Sequence, residues 1–265
     1  ELPPHETRPR RGGTIHPSAT VNKRDNQFKV YEGSMEKTVT ITNMSKSFPT
    51  GEGDFLALNK IDLVFGKGEF AGIVGPSGSG KTTLLNVIGS LDTPSSGEVD
   101  VLGYKVSQLS QNQSSELRSR HLGFIFQTYN LLPVYNVYEN VEFPLLLLKL
   151  SGPERDKMVR DALEWVGLTD KLKSRPAQLS GGQCQRVAIA RAMVKKPALV
   201  LADEPTANLD TENSLHILET MKSINSSLGT SFIFATHDDK VIKYLRRVIR
   251  LVDGEVVSDD LQTGA

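Results

Sequence analysis

Gly75-Pro76-Ser77-Gly78-Ser79-Gly80-Lys81-Thr82 sets glycines, a lysine and a hydroxyl in the order G-x-x-x-x-G-K-T. Phosphate groups carry several negative charges and need many donors at close range. Gly75, Gly78 and Gly80 let the backbone turn so that successive N–H groups point inward. A helix beginning near Lys81 adds its positive N-terminal end. In such a loop Lys81 reaches the β- and γ-phosphates, Thr82 places its hydroxyl on Mg²⁺, and Thr83 reaches an α-phosphate oxygen. Ser77 and Ser79 complete the set of candidate nucleotide ligands.

A second group is acidic. Asp203 and Glu204 follow the apolar run Leu199-Val200-Leu201-Ala202. A carboxylate at the end of a buried strand sits where open α/β sheets present their ligands. Asp203 is therefore a candidate Mg²⁺ ligand, directly or through water. Glu204 is the candidate to orient and deprotonate an attacking water. His237 follows the apolar run Ser231–Ala235, and Gln127 follows Gly123-Phe124-Ile125-Phe126. From position alone His237 is either structural or a γ-phosphate contact. Gln127 is either solvent-facing or a Mg²⁺ ligand that senses the γ-phosphate. Leu179-Ser180-Gly181-Gly182-Gln183 is a Gly-rich turn opening a helix. Asn59-Lys60-Ile61-Asp62 spells a guanine-reading pattern, but it precedes the phosphate loop instead of following it, and is read as chance.

These groups need a scaffold that brings strand ends together. Phe70–Val74 is a short, wholly apolar run ended by Gly75, as expected of a strand buried on both faces. Lys81–Leu91 then reads as helix, with Leu84, Leu85 and Ile88 in a stripe. Further strands are expected at 39–42, 55–65, 97–102, 123–126, 198–202 and 231–235, and a hairpin at 248–257 turns on Asp253-Gly254. Helices are expected at 114–120, 153–166, closed by Gly167, 183–196 and 214–228. The alternation argues for a mostly parallel sheet with helices on both faces. The helical stretch of about 127–186 reads as an insertion with its own lobe.

The chain of 265 residues suits one large α/β domain or two small lobes. Lys+Arg 31 balances Asp+Glu 31, so no global basic field exists to hold nucleic acid. Cys184 is the single cysteine, which excludes an intrachain disulfide and a cysteine metal cluster. No run approaches the length of a membrane span. The first 34 residues hold Pro3, Pro4, Pro9 and Pro17 without apolar periodicity. They are expected to be a tag or linker before a native start at Met35, or else a disordered natural extension.

Leu179–Gln183 matches, letter for letter, the signature of the ABC (ATP-binding cassette) ATPases, and the chain resembles that superfamily over about 38–257. The resemblance implies an α/β P-loop NTPase (RecA-like) core with a mostly parallel sheet, an antiparallel β-subdomain and an inserted α-helical subdomain. The core would be about 38–126 and 187–257, the helical part 127–186, and 258–265 a tail. Gln127 then corresponds to the Q-loop, Ala207-Asn208-Leu209-Asp210 to the D-loop, and His237 to the switch histidine. Phe48 stands where an aromatic ring stacks on adenine. Glu204, His237 and Gln127 become the catalytic set, and Thr82, Gln127 and Asp203 the Mg²⁺ set. Ser180, Gly181, Gly182 and Gln183 would bind the ATP of a second copy, in a head-to-tail dimer.

Within the superfamily the LolD/MacB type is most similar, through Gly75–Leu91, Gly123–Pro133, Glu139–Leu146 and Leu201–Asp210. That likeness implies an ATP-hydrolysing subunit, peripheral on the cytoplasmic face of the inner membrane. It would power a separate membrane permease in lipoprotein release or export. An FtsE-like role in envelope signalling or division is the alternative. Tyr129, Leu131, Leu132, Tyr135 and Tyr138 are either lobe core or a groove for a permease helix. Cys184 departs from the Gln or Glu often found there and is expected on the exposed start of its helix.

Overall fold

The computed structural model describes residues 36–51 and 53–262. The expected extension at 1–34, the candidate start Met35 and residues 263–265 lie outside the described residues.

Two sheets organise the chain. Strands β1 (Lys37–Thr50) and β2 (Gly53–Gly66) form a long antiparallel hairpin, joined by β4 (Ser96–Val101) and β5 (Tyr104–Lys105) in the order β2-β1-β4-β5. The second sheet has the order β10-β9-β3-β8-β7-β6. Its members are β3 (Phe70–Val74), β6 (Leu122–Ile125), β7 (Leu199–Asp203), β8 (Ser231–Thr236), β9 (Arg247–Val252) and β10 (Glu255–Leu261). Strands β9, β3, β8, β7 and β6 run parallel and β10 pairs antiparallel to β9.

The strands of the parallel sheet read as unbroken apolar runs because both faces are covered. Ile73, Leu201 and Ile233 face helix α1 (Lys81–Ile88) and the antiparallel sheet, together with Leu84, Ile88, Ile41 and Phe65. Phe70, Val200, Phe232 and Phe234 face the other way, against α5 (Gly181–Met193) and α6 (Thr211–Leu228). Helix α2 (Gln111–His121) leads into β6, and α3 (Val137–Glu142) and α4 (Gly152–Trp165) pack on α5. A four-residue α7 (Asp239–Ile242) follows β8. Four of these helices start with a capping box in which a Ser or Asn side chain and a Gln or Glu three residues on exchange backbone bonds: Ser110 with Gln113, Asn136 with Glu139, Ser151 with Glu154, and Ser180 with Gln183. No helix among the described residues is long and apolar enough to cross a membrane.

Three expectations change. The boundary drawn at 186/187 falls inside α5, one continuous helix, so the two lobes share a rigid element. Residues 258–261 are strand, not tail: Ser258, Asp259, Asp260 and Leu261 pair with Arg250, Ile249, Val248 and Arg247. Cys184 lies on the inward face of α5, buried, its Sγ 3.6 Å from the Pro176 carbonyl, and burial pushes its thiol pKa up. An exposed helix start was the wrong inference because the turn at Pro176–Gln178 folds back over it.

Arg247 fixes the far edge of the sheet. Its guanidinium binds both carboxylate oxygens of Asp259, at 2.6 and 2.5 Å, and reaches Glu69 at 2.8 Å and the Val64 carbonyl at 2.7 Å. Arg247 is fully buried, and Asp259 and Glu69 are nearly so. Removing the cation takes the counter-charge from two shielded carboxylates. Arg247→Met is expected to destabilise the fold by about 3–5 kcal/mol, read from the urea unfolding midpoint; a midpoint matching the wild type would count against this role.

Candidate nucleotide-binding and hydrolysis site

The chemistry converges where parallel strands end. Strand β3 delivers the phosphate loop, β6 leads to Gln127, β7 ends at Asp203 and Glu204, and β8 leads to His237. A cavity of about 530 Å³ opens there. Its walls include Phe48, Ser77, Gly78, Gly80, Lys81, Thr82, Thr83, Gln127, Asp203, Glu204 and His237. Residues predicted separately from the sequence are thus brought to one place.

The loop keeps the shape its glycines allow. Gly78 and Gly80 lie at φ +81° and +101°, backbone states that L side chains rarely adopt. Gly75 is required for a different reason: a Cβ there would lie 2.0 Å from the Leu251 carbonyl. The Lys81 ammonium donates to the Gly75 and Pro76 carbonyls at 2.7 and 2.9 Å, folded back along its own loop. The Thr82 hydroxyl donates to Asp203 Oδ2 at 2.9 Å. Ser79 is placed differently from its neighbours. Its side chain is buried and its Oγ has no partner, so it and Gly75 are not among the cavity walls.

Glu204 adopts φ +45°, a state that costs a non-glycine residue about 1–3 kcal/mol. The surrounding bonds over-determine it. Its backbone N–H donates to the Ala235 carbonyl at 2.9 Å, and the Thr236 hydroxyl donates to Oε2 at 3.0 Å. His237 Nδ1 lies 2.5 Å from Oε1. Glu204 is therefore held at the cavity, largely shielded, while His237 stays open to solvent. Burial pushes the Asp203 carboxyl above the usual range; the Thr82 hydroxyl opposes this and the Glu204 charge adds to it.

Phe48 faces Phe55 across the β1–β2 hairpin, and both line the cavity with Ala57. Phe55 was missed because its place depends on hairpin register, which no local motif encodes. Thr236 was missed as well, and of Asn208 only its place in the D-loop was read. Asn208 donates to the Gln127 carbonyl at 2.9 Å, joining two loops far apart in sequence. Arg191 grips the following residues, donating to the Tyr129 and Asn130 carbonyls at 2.6 and 2.5 Å. Asn59 and Asp62 are engaged elsewhere: Asn59 donates to Glu255, and Asp62 accepts from the Asn43 N–H. They are remote in role from the cavity, in keeping with a chance match.

The Gly-rich turn stands apart. Ser180 caps α5, its Oγ accepting the Gln183 N–H at 3.3 Å while Gln183 Oε1 accepts the Ser180 N–H at 2.9 Å. Ser180 and Gly181 are exposed. A Cβ on Gly182 would fall 2.4 Å from Asn213 Oδ1, so glycine lets α5 approach the start of α6. Asp210 caps that start, and the Asn213 N–H it accepts holds its carboxyl below the usual range. None of Ser180, Gly181, Gly182, Gln183 or Asp210 is among the walls of the cavity.

The family model described as ABC transporter matches residues 58–207. The chain belongs to the ABC transporter family. Among curated ABC relatives, the LolD lipoprotein-releasing system ATP-binding protein of Francisella tularensis is 45% identical over 215 residues, covering 81% of this chain and 93% of that protein. The MacB macrolide export ATP-binding/permease protein of Burkholderia pseudomallei is 42% identical over 225 residues, 85% of this chain and 34% of that protein. A solved ABC cassette, the dimeric post-hydrolysis state of MJ0796 bound to ADP and Pi, superposes with a TM-score of 0.79 at 40% identity. That match covers 86% of this chain and 100% of the other. The fold is the ABC cassette form of the P-loop NTPase.

Gly75→Ala tests the loop geometry. The added methyl meets backbone that cannot swing away, so the loop must shift. Nucleotide affinity is expected to fall about tenfold or more, read by titration with a fluorescent ATP analogue; an unchanged affinity would contradict the packing described.

Proposed function

We propose that this chain is the ATP-hydrolysing subunit of a LolD/MacB-type transport complex, working as a pair of identical cassettes beside a membrane permease. One observation carries the mechanism. The cavity gathers Lys81, Thr82, Gln127, Asp203, Glu204 and His237, yet the Ser180–Gln183 turn, a second anion-ready helix start that exposes Ser180 and Gly181, lies outside it. Two copies related by a two-fold axis would let each turn close the other's cavity. The dimeric MJ0796 cassette supports that arrangement.

The donor set fits Mg²⁺. A hydroxyl and a carboxylate stand together at Thr82 and Asp203, with the Gln127 amide on the same cavity. No cluster of three or more His, Cys, Asp or Glu forms a metal cage among the described residues. Few protein oxygens with room for phosphate oxygens is the pattern of Mg²⁺–nucleotide sites. The ion would neutralise charge on the β- and γ-phosphates.

The chain's own residues do the rest. Lys81 exchanges its two loop carbonyls for phosphate oxygens. Glu204, steadied by Thr236 and His237, accepts a proton from water as the water oxygen attacks the γ-phosphorus and the bond to the β-phosphate oxygen breaks. ADP and phosphate are the products. With the γ-phosphate gone, the bridge between Lys81 of one protomer and Ser180 of its partner is lost and the pair relaxes.

Glu204→Gln is expected to bind ATP, form an ATP-dependent dimer and turn over more than about tenfold more slowly, a barrier change above about 1.4 kcal/mol. Phosphate release and size-exclusion chromatography check this. A rate within tenfold of wild type would remove Glu204 as the base. Lys81→Ala should lose ATP binding itself.

Force leaves through a second surface. Tyr129, Leu131, Leu132, Tyr135 and Tyr138 are half-buried, with Leu131 and Tyr138 packed on the core, so they form lobe structure more than an open groove. The outward apolar groups are Val134, Phe143, Leu146 and Leu147, with Val134 and Leu147 about 70% exposed. Phe143 and Leu147 border a groove of about 440 Å³ with Phe124 and Phe126. It is the natural seat for a permease helix. Leu147→Glu should keep ATP binding and intrinsic hydrolysis but lose co-purification with the cognate membrane protein; retained co-purification would place the contact elsewhere. The same experiment with wild-type chain identifies the permease, and with it the cargo.

A further inference from the structure

Gln185 is fully buried in the middle of α5. Its Nε2 donates to the Pro205 carbonyl at 2.7 Å, and its Oε1 has no partner. A buried amide with one end unsatisfied is an unfavourable core residue. Asn140 shows what a scaffolding amide looks like in this fold. It is equally buried, yet its Nδ2 donates to the Leu132, Tyr135 and Asn136 carbonyls and its Oδ1 accepts the Leu132 N–H. Gln185 is satisfied only at the end that meets the turn after Glu204.

That turn is a junction. Pro205 follows Glu204, whose backbone is already in a costly conformation. Thr206 donates to Asp238, next to His237, at 3.2 Å. Asn208 holds the Gln127 carbonyl. Gln185 adds α5 to this junction, and α5 begins at the Ser180 turn. Five residues of helix separate Ser180 from Gln185, about 7.5 Å along the axis. A displacement of the turn is carried along that rigid span.

We propose that Gln185 is a positioning residue that couples the Ser180–Gln183 turn to Glu204. When the turn engages the nucleotide of the partner protomer, α5 settles, and the Gln185 bond to the Pro205 carbonyl carries that settling to the Glu204 backbone. Each protomer's base is then set by whether its own turn holds the neighbour's ATP, so the two sites fire together. The inference rests on the two-copy reading given under the proposed function.

Gln185→Met keeps the length of the side chain and removes the donor. Steady-state ATP hydrolysis of the full chain is expected to show kcat reduced about tenfold or more with KM within about twofold. Gln185→Glu, which keeps the shape, should behave alike at neutral pH. A kcat within twofold of wild type in either folded variant overturns the proposal, and so does a fall in kcat and rise in KM that simply track a lowered melting temperature. If neither variant folds, the bond is a packing requirement and the proposal fails. The double variant Glu204→Gln with Gln185→Met should still dimerise with ATP as Glu204→Gln does. Failure of Glu204→Gln alone to dimerise would sink the two-copy reading, a result separable from the Gln185 rates.

Discussion

Strand register is the constraint on which the site depends. Val74 lies level with Thr236, Asp203 with Ala235, and Ile125 with Ala202. Parallel strands that end together must release their chains on the same side of the sheet. The phosphate loop, Gln127, Glu204 and His237 then emerge within reach of one cavity although they span most of the sequence. A one-residue slip in any pair would reverse which face each side chain meets. The apolar packing on both faces forbids it, since Phe232 and Ile233 fill opposite cores. Hydrophobic burial thus does the positioning for the polar chemistry.

Local rules explain why most of this could be read in the chain itself. Phe70–Val74, Leu199–Ala202 and Phe232–Ala235 are short apolar runs without polar interruption, which only a doubly covered strand tolerates. Gly167 and Gly229, both at positive φ, end α4 and α6 as capping chemistry requires. Asp253 and Gly254 turn the last hairpin, both at positive φ. Lys81, Thr82, Gln127, Asp203, Glu204 and His237, which line the candidate cavity, were legible as a group, because each follows an apolar strand run or belongs to the Gly-rich loop.

What stayed hidden depends on distant register or on folding back. Phe55 enters the cavity only because the hairpin sets it opposite Phe48. Thr236 matters only because β8 lies beside β7. Cys184 was misplaced for the same reason: its burial is caused by the Pro176–Gln178 turn, outside the helix that carries it. The apolar stretch after Gln127 misled in a further way. Bulky residues there serve two surfaces at once, and periodicity does not say which ring of Tyr129, Tyr135 or Phe143 turns outward.

The continuity of α5 decides how the molecule can move. A helix of 13 residues that Ser180 caps and that ends against the core strands cannot be divided between two independently rocking lobes. Its inward face is buried almost without interruption from Cys184 to Met193. Arg191, low on the helix, holds the Tyr129–Asn130 backbone, and both of those residues sit at positive φ. Any rotation of the helical lobe must therefore carry the segment after Gln127 with it, or break two bonds to a partly desolvated guanidinium. The first course costs less, because Gln127 itself is exposed and its tether to Asn208 is a single hydrogen bond. A rotation of the helical lobe and a displacement of Gln127 would thus be one motion, imposed by where a single helix begins and what its sides grip.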